Sequence, residues 1–457
     1  MSQPSTLPTM PAADASHAEI VASLTGRWPE HRVAPSLGRI AALAELLGDP
    51  QRAYPVIHMT GTNGKGSTAA MIESLLRANG LRTGRFSSPH LMSVTERIAI
   101  DGHPVAAARF DEIYREIAPY VELVDARQID GVAMTFFEIV TAIAYAAFAD
   151  APVDVAVVEV GLGGTWDATN VADGDVAVIT PIDVDHAHLL GATITEIATE
   201  KAGIIKPGSV AVLAQQTPEV AAVLLERAAE VGATVAREGM EFGVVARTPA
   251  VGGQVVSIQG LRAMYDDVFL PLHGAHQAQN AAVALAAVES FGTGTLDEDL
   301  VRAAFAEVTS PGRLEIIRRS PTILLDAAHN PHGAEAAAAA LEDSFSFSPL
   351  IGVMGVMEDK DYEGVLAAFE PHLAHLVVTQ NSTPRAMPAA ALGRVAVEIF
   401  GEDRVSVVPD LAEAVDRAAT LAEAGEAVDV SIGAGAVLVT GSVVTVGEAR
   451  AMLKGRR

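Results

Sequence analysis

The sequence contains no cysteine among its 457 residues. Disulfides, thiolate metal sites and cysteine nucleophiles are therefore excluded. A long apolar run is also missing, because the most apolar window, residues 134–149, is too short for a membrane span and contains Glu138. No basic segment precedes an apolar run near the start, so no secretory signal is visible. We expect a cytoplasmic enzyme.

Positive charge is scarce, with 31 Lys and Arg against 57 Asp and Glu and a net charge of −26. Such an acidic surface repels nucleic acid and anionic membranes, and we expect neither as a partner. An anionic ligand such as ATP would need a local offset to this field. A Lys or Arg side chain, a helix N-terminus or a metal ion could supply it.

Aromatic residues make up only 5% of the chain, whereas half of it is apolar. This composition is typical of an α/β protein, and the length predicts two domains by default, with three as the upper case. Alternating β-branched runs and helical stretches predict a mostly parallel sheet with helices on both faces. The first thirty or so residues show little periodicity and are predicted to be a loose lead. Predicted strands are residues 56–59, 153–160, 176–180 and 210–213, and predicted helices start near Ser67, Phe110, Thr135 and Thr195.

The pattern changes along the second half of the chain. Residues 233–272 are predicted to form antiparallel strands appended to the first sheet, and a helix is predicted over residues 276–291. After a Pro-Gly turn near residue 311, the α/β alternation restarts. We therefore predict an ATP-binding domain over residues 1–309 and a smaller Rossmann-like domain over residues 310–457. Predicted strands in the second domain are residues 322–325, 351–355, 375–379, 405–408 and 428–432, with helices around Gly333, Tyr362, Pro388 and Leu411.

The stretch "HMTGTNGKGS" is a glycine loop between a β-branched run and an apolar-periodic helix. A strand, a Gly-rich turn and a helix N-terminus together aim backbone N–H groups at an anion. The loop is shorter than the standard phosphate loop, and Gly66 separates Lys65 from Ser67. A plain tight turn is the alternative, but a turn does not need a Lys and a Ser at its helix end. No Asn-Lys-x-Asp motif is present, which argues against GTP.

The loop "TGTNGKGS" resembles that of the folylpolyglutamate synthetase and dihydrofolate synthetase family, relatives of the Mur ligases. Mur loops place Thr or Ser directly after the Lys, so the extra glycine favours the folate branch. Further segments resemble the family in family order: "SSPHL", "ERI", "TFFE", "EVGLGGTWDATN", "DVDHAHLLGATITEIATEKAGIIK", "HGAHQAQNAAVALAA", "PGR", "LLDAAHNPHGA" and "GVMEDKD". Trp166 lies at a position that varies within the family pattern, and the amino-terminal lead has no counterpart in that pattern.

The resemblance implies an α/β fold with a P-loop, a mostly parallel sheet, an added small antiparallel sheet and a Rossmann-like C-terminal domain. It also implies an ATP- and Mg²⁺-dependent ligase that forms an amide between L-glutamate and dihydropteroate or reduced folates. A carboxylate is a poor electrophile, so it must first become an acyl phosphate. That phosphoryl step needs positioning and charge neutralisation.

Four side chains are implied to complete the catalytic and metal site. Glu159 closes the buried run "DVAVVEV", where a carboxylate is costly unless it is paired or binds a metal. The resemblance makes Lys65, Glu159, His186 and Lys201 the catalytic side chains. It makes Ser67, Ser88, Glu159, His186 and Lys201 the metal ligands and gives Lys201 a carbamylated amine. The residues alone favour other readings: Asp183 and Asp185 as ligands, a hydrogen-bonded histidine, and a solvated pair of Lys201 with Glu200.

The remaining implied contacts concern ATP and the pterin acid. The residues implied to bind ATP are Thr62, Asn63, Gly64, Lys65, Gly66, Ser67, Asn280, Arg313, Asp326 and His329. Those implied to bind the pterin are Thr135, Phe137, Asp167 and Ala168. Residue types alone also allow a helix-surface Asn280, an inter-domain salt bridge between Arg313 and Asp326, and a core Phe137.

Three functions stay open from the sequence. The favoured one is a bifunctional ligase that uses both dihydropteroate and folates. A Mur-type ligase of UDP-sugar peptides is the second, although Gly66 and the "SSPHL" loop oppose it. A nucleotide-binding module without ligase chemistry is the third. We expect a monomer in each case.

Overall fold

The computed structural model describes residues 11–12, 14–28, 34–292, 294–426 and 434–455. The chain divides into two compact units. Unit 1 comprises Met1–Val245, Ser257–Val268 and Gln279–Glu307, and unit 2 comprises Ala246–Val256, Phe269–Ala278 and Val308–Arg457. No helix in the described ranges is both long and apolar enough to cross a membrane.

Unit 1 is built on an eight-stranded sheet in the order β4-β3-β2-β5-β1-β6-β7-β8. Its strands are β1 (Val56–Thr60), β2 (Thr83–Phe86), β3 (Ile98–Ile100), β4 (His103–Pro104), β5 (Val155–Glu159), β6 (Val176–Ile179), β7 (Val210–Leu213) and β8 (Thr234–Arg237). The central strands pair in parallel, and β1 lies between β5 and β6. Parallel strands are buried on both faces, which explains their continuous runs of Val, Ile and Ala.

The helices before residue 310 cover this sheet and supply its connections. They are α1 (His17–Thr25), α2 (Gly38–Leu46), α3 (Lys65–Ala78), α4 (Ala107–Ala126), α5 (Phe136–Asp150), α6 (Ala187–Leu190), α7 (Ile194–Ala202), α8 (Pro218–Val231), α9 (Ala275–Phe291) and α10 (Glu298–Ala306). A separate three-stranded sheet contains β9 (Gly243–Ala250), β10 (Gly253–Gln259) and β11 (Met264–Leu270).

Unit 2 carries a six-stranded sheet in the order β12-β13-β17-β14-β15-β16. The strands are β12 (Glu315–Arg319), β13 (Thr322–Leu325), β14 (Leu350–Met354), β15 (His375–Val378), β16 (Val405–Val407) and β17 (Ala436–Thr440). The helices are α11 (Pro331–Ser344), α12 (Tyr362–Phe369), α13 (Ala389–Phe400), α14 (Leu411–Glu426) and α15 (Val443–Gly455). Only β12 pairs antiparallel in this sheet, as the other four described pairings are parallel.

The α/β fold class is confirmed, as are most predicted elements to within about three residues of their ends. Two predictions are wrong, and a third falls outside the described residues. The loose lead is wrong over α1, because Ser16 and Glu19 form a capping box and Ile20 and Leu24 are buried. The prediction for residues 233–272 is wrong over β8, which pairs parallel with β7, and β9 to β11 form a sheet of their own and are not appended to the first sheet. Predicted strand 428–432 lies outside the described residues, and the central strand β17 was missed.

Candidate active site

The glycine loop follows β1, the central strand, and α3 begins at Lys65 with Gly64 as its N-cap. Gly61 lies so close to β6 that a Cβ atom there would be 1.9 Å from Thr180 Oγ1, and its φ is +148°. A Cβ on Gly64, whose φ is +87°, would lie 2.6 Å from Asn280 Oδ1. Both glycines are thus required by close packing as well as by backbone conformation. The loop brings Asn280 of α9 against the start of α3.

Two lysine amines meet at one backbone carbonyl of this loop. Lys65 Nζ donates to Gly61 O at 3.0 Å and to Thr62 O at 3.2 Å. Lys201 Nζ, from the last turn of α7, also donates to Gly61 O at 3.0 Å. Bringing two cations together is unfavourable unless one is neutral or an anion lies nearby. The arrangement concentrates positive charge at the N-terminus of α3.

Lys201 is 5% exposed, so it is not the solvated charge that its neighbour Glu200 suggested. Burial, together with the positive charge of Lys65, lowers the pKa of its amine to about 7, against the opposing charges of Asp185, Asp167 and Glu200. A substantial neutral fraction therefore exists at neutral pH. Ile197 and Ala198 precede Lys201 by four and three residues and are buried on the same helix face. That spacing was the sequence signal that Lys201 faces inward.

The loop after β6 is attached to the glycine loop. Thr62 N donates to Pro181 O at 2.9 Å, and the Thr62 hydroxyl donates to Asp183 O at 2.9 Å. Asp183 N donates back to the Thr62 hydroxyl at 3.0 Å. His186 follows with φ +53°, and its backbone N–H donates to Asp185 Oδ1 at 2.8 Å. These bonds connect residues 181–183, which lead to Asp185 and His186, to the phosphate-loop backbone.

Glu159 ends β5 and is 3% exposed. Its Oε2 accepts a hydrogen bond from Ser88 N at 3.3 Å, and a Cβ atom on Gly66 would lie 3.8 Å from the same oxygen. The loops after β1, β2 and β5 therefore meet at this carboxylate, as expected at the carboxyl ends of parallel strands. Ser67 is also buried in the first turn of α3.

The group implied for the pterin lies at the start of α5 and in the loop after β5. Thr135 caps α5 by accepting from Glu138 N at 3.2 Å. The ring of Phe137 lies 5.8 Å from that of Phe86, and a Cβ on Gly161 would be 2.4 Å from Phe137 Cζ. Asp167 is buried and caps the turn Ala168–Val171. Burial raises the pKa of the Asp167 carboxyl group, against hydrogen bonds that favour its ionised form.

Three of the implied ATP contacts belong to unit 2. Asp326 ends β13, is buried, and accepts from Leu314 N at 3.0 Å and Ala328 N at 2.9 Å. Burial raises the pKa of its carboxyl group, while the charge of Arg313 acts in the opposite direction. His329 Nδ1 lies 2.9 Å from Ala327 O. These residues form one group at the end of β13, whereas Asn280 belongs to unit 1 with the phosphate loop.

Among the described residues, no group of three or more His, Asp or Glu side chains is arranged to hold a metal ion. Near the start of α3 lie the hydroxyl-bearing Ser67, the carboxylate of Glu159, and Ser88, whose backbone N–H bonds to that carboxylate. This donor set suits Mg²⁺, which prefers oxygen ligands and retains several waters and phosphate oxygens. Residues around the loop thus fit the ion that the sequence implied.

Comparison with known proteins identifies the family. The model of the Mur ligase middle domain matches residues 59–288, and that of the Mur ligase, glutamate ligase domain matches residues 312–443. The chain is 52% identical over 449 residues to the dihydrofolate synthase/folylpolyglutamate synthase of Mycobacterium tuberculosis, covering 94% of this chain and 92% of the relative. The chain belongs to the dihydrofolate synthase/folylpolyglutamate synthase family of Mur ligases.

Solved structures of this family have the same fold. Mycobacterium tuberculosis folylpolyglutamate synthase complexed with ADP superposes with a TM-score of 0.93 at 52% identity, covering 97% of this chain and 99% of that one. Escherichia coli FolC in complex with DHPP and ADP gives a TM-score of 0.84 at 31% identity, covering 98% and 100%. The family resemblance stated from the motifs is therefore confirmed.

Sequence reasoning missed some residues that shape this region. Thr180, at the end of β6, sets the close approach of Gly61. Glu200 accepts from the backbone N–H groups of Gly164 and Trp166, both at 3.3 Å, and so orders the loop after β5. No motif marks Thr180, and Glu200, although it lies in a quoted family segment, was considered only as a solvated partner of Lys201. Each residue acts through a contact between segments distant in the chain.

Proposed function

We propose that this chain is an ATP-dependent ligase that joins L-glutamate to dihydropteroate and to reduced folates already carrying glutamate. The name of the Mycobacterium tuberculosis relative, at 52% identity over nearly the full length, supports both activities. The complexes of solved relatives with ADP support ATP as the co-substrate. We further propose a cytoplasmic monomer.

The chemistry needs a phosphoryl group transferred to a carboxylate and then displaced by an amine. We assign Lys65 and the loop residues Thr62, Asn63, Gly64, Gly66 and Ser67 to the phosphates. The start of α3 supplies N–H donors and partial positive charge to such an anion. Neutralising the transferred phosphoryl group stabilises the transition state more than the ground state, which is the requirement for catalysis.

For Mg²⁺ we assign Ser67, Ser88, Glu159, His186 and Lys201 as ligands. When bound, the ion would neutralise phosphate charge during acyl-phosphate formation. Glu159 is suited to this because its buried carboxylate closes a strand beside Gly66. Lys201 would contribute an oxygen only as a carbamate.

The other assignments follow the two units. Asn280, Arg313, Asp326 and His329 are proposed to bind the nucleotide, and Thr135, Phe137, Asp167 and Ala168 to form the pterin site. We retain 1–309 as the ATP-binding domain and 310–457 as the ligase domain. The matched ranges 59–288 and 312–443 support this division.

One observation carries the proposal most directly: Lys65 and Lys201 both donate to the carbonyl of Gly61. The test is ADP release that depends on glutamate together with either dihydropteroate or tetrahydrofolate. Lys65→Ala should lower turnover by about 10²-fold or more, because phosphate charge is left uncompensated.

Lys454→Ala, at an exposed position of α15, is the matched control and should retain turnover. Near-normal turnover in Lys65→Ala would contradict the role given to the loop. ADP release with UDP-sugar peptides but not with pteroates would support a Mur-type ligase instead. ATP binding without glutamate-dependent ADP release would support a non-catalytic module.

We also propose that Lys201 is carbamylated. Reaction with CO₂ requires a neutral amine, and burial supplies one by lowering the pKa of Lys201 to about 7. Protein equilibrated with ¹³C-labelled bicarbonate should show a carbamate ¹³C signal that is absent in Lys201→Met and present in Lys206→Met. A spectrum without that signal in the wild type would contradict the proposal.

A further inference from the structure

His58 is an imidazole in the middle of β1, a strand that is otherwise apolar up to Thr60. It is fully buried, with Val158 and Ala177 as its register partners on the two flanking strands. Its Nδ1 has no hydrogen-bond partner among the described residues, and its Nε2 lies 2.9 Å from Thr169 Oγ1. A buried polar group with an unsatisfied atom costs stability, so a simple core role does not explain it.

The direction of the bond between His58 and Thr169 is fixed by Asp167. Oδ1 of Asp167 accepts from the Thr169 hydroxyl at 2.6 Å and from Thr169 N at 3.0 Å. Because the hydroxyl proton is used, its lone pairs face the imidazole, and Nε2 of His58 must be the donor. Burial, together with the charge of Lys206, lowers the pKa of His58 to about 3. The imidazole is therefore a neutral donor that does not take up a second proton near neutral pH.

This network joins two segments that the proposed reaction must bring together. The carboxyl end of β1 continues into the phosphate loop, and Thr60 Oγ1 donates to Gly163 O at 2.8 Å. The other oxygen of Asp167 accepts from Leu162 N at 2.9 Å. The bonds from His58 and Thr60 thus hold residues 161–167 against the strand that leads into the phosphate loop.

Asp167 is 3% exposed, and its carboxylate oxygens already accept hydrogen bonds from its own loop. Its effect on the pterin is therefore exerted through the loop. Gly161, at the other end of that loop, lies against the ring of Phe137, which we assign to the pterin site. The position of this loop then sets where the pterin acid lies relative to the phosphates.

We propose that His58 is a positioning residue which, through Thr169 and Asp167, fixes the loop 161–167 so that the carboxylate of the pterin acid meets the terminal phosphate. The inference rests on the proposed function. β1 is held by parallel pairing with β5 and β6, whereas the loop has no such pairing. Loss of the network should therefore displace the loop and leave the phosphate loop in place.

The kinetic test uses His58→Leu and Thr169→Val, which remove the donor and the hydroxyl at nearly constant volume. The KM for dihydropteroate should rise about tenfold, the effect of one buried hydrogen bond, while the KM for ATP changes by less than about twofold. His58→Gln and Thr169→Ser, which restore a donor and a hydroxyl, should bring the dihydropteroate KM back toward the wild-type value. The pH profile of His58→Gln should match that of the wild type.

The matched control is Tyr145→Phe. It removes another buried hydrogen bond to the same residue, from the Tyr145 hydroxyl to Thr169 O at 2.7 Å. This variant should lower Tm as Thr169→Val does, but leave the dihydropteroate KM unchanged. An equal rise in KM in Tyr145→Phe would mean that any destabilisation of this segment suffices, and would overturn the proposal.

A second readout does not depend on turnover. Trp166 lies within the loop and is one of only two tryptophans, the other being Trp28. In a Trp28→Phe background, Thr169→Val should shift Trp166 emission to the red and increase its quenching by acrylamide, whereas Tyr145→Phe should not. Unchanged emission and quenching in Thr169→Val, or changed quenching with a normal dihydropteroate KM, would overturn the inference. If the fluorescence responds as expected but wild-type protein shows no glutamate-dependent ADP release, the proposed function fails and the loop network stands.

Discussion

In unit 1 the strand ends around the glycine loop present two lysine amines bonded to a backbone carbonyl, whereas in unit 2 the end of β13 presents a buried carboxylate near an arginine. A carbonyl is a dipole without net charge, and the charges of Asp185, Asp167 and Glu200 also act on Lys201. Asp326 instead offsets the charge of Arg313. In a chain of net charge −26, unit 1 thus places two amines beside the start of α3, whereas unit 2 places a carboxylate near a guanidinium.

The two groups also differ in how the backbone is held. Unit 1 uses glycines at contacts too close for any side chain, as at Gly61 and Gly64. Unit 2 uses the Asp326 carboxylate to collect the N–H groups of Leu314 and Ala328. An added side chain at such a glycine must displace its neighbours, whereas the hydrogen bonds to a carboxylate can be removed one at a time. The effects of substitution should follow that difference.

The largest effect is expected from Gly61→Ala. The new methyl group would overlap Thr180 Oγ1, and the displaced carbonyl would carry both lysine amines with it. Misplacing catalytic groups by about 1 Å costs about 10²-fold in rate, so kcat for glutamate-dependent ADP release should fall at least that far. Gly208→Ala, with φ +78° and nothing within 4 Å, should lower stability only and keep kcat. Equal kcat values for Gly61→Ala and Gly208→Ala would contradict the conclusion that close packing at Gly61 positions the lysine amines.

A smaller effect is expected in unit 2 from Asp326→Asn. The amide oxygen can still accept from one backbone N–H, the amide nitrogen cannot accept from the other, and the neutral side chain no longer offsets Arg313. We expect the KM for ATP to rise about tenfold, the cost of one buried hydrogen bond. Asp343→Asn, which removes a half-exposed ion pair with Arg247, is the control and should leave that KM unchanged. If both variants behave alike, the buried pair has no special role.

The smallest effect is expected on the pH dependence of stability. Its measurement tests whether positive charges also lie close together in unit 2. Burial and the charges of Arg313, His332 and Arg247 lower the pKa of His276 from 6.5 to about 4. Between those values the unfolded chain binds more protons, so stability falls as the pH drops from 6.5 to 4. His276→Gln should make Tm less sensitive over that range, and His103→Gln, at an exposed position, should not. A pH dependence identical in wild type and His276→Gln would contradict this account.

Much of the fold was predictable because hydrophobic periodicity and glycine punctuation are local signals. The phosphate loop, the start of α3 and the strand β7 were predicted within two residues of their observed positions. The errors came where local signals conflict with packing. The short helix α1 depends on its cap and on two buried side chains, and β8 joins the large sheet because β7 presents a free edge to it.

The sequence by itself determined the family and the types of residue in the site, because the motifs are contiguous and their order is fixed. Only the tertiary structure decided how those residues are used. Lys65 and Lys201 are 136 positions apart in the sequence, yet both amines donate to the carbonyl of Gly61. From the sequence Lys201 could be a solvated surface charge, whereas in the structure it is buried. The use of His58 likewise depends on contacts between distant segments. Hydrogen-bond direction, burial and close backbone approach all arise from contacts between distant segments, and no local pattern encodes them.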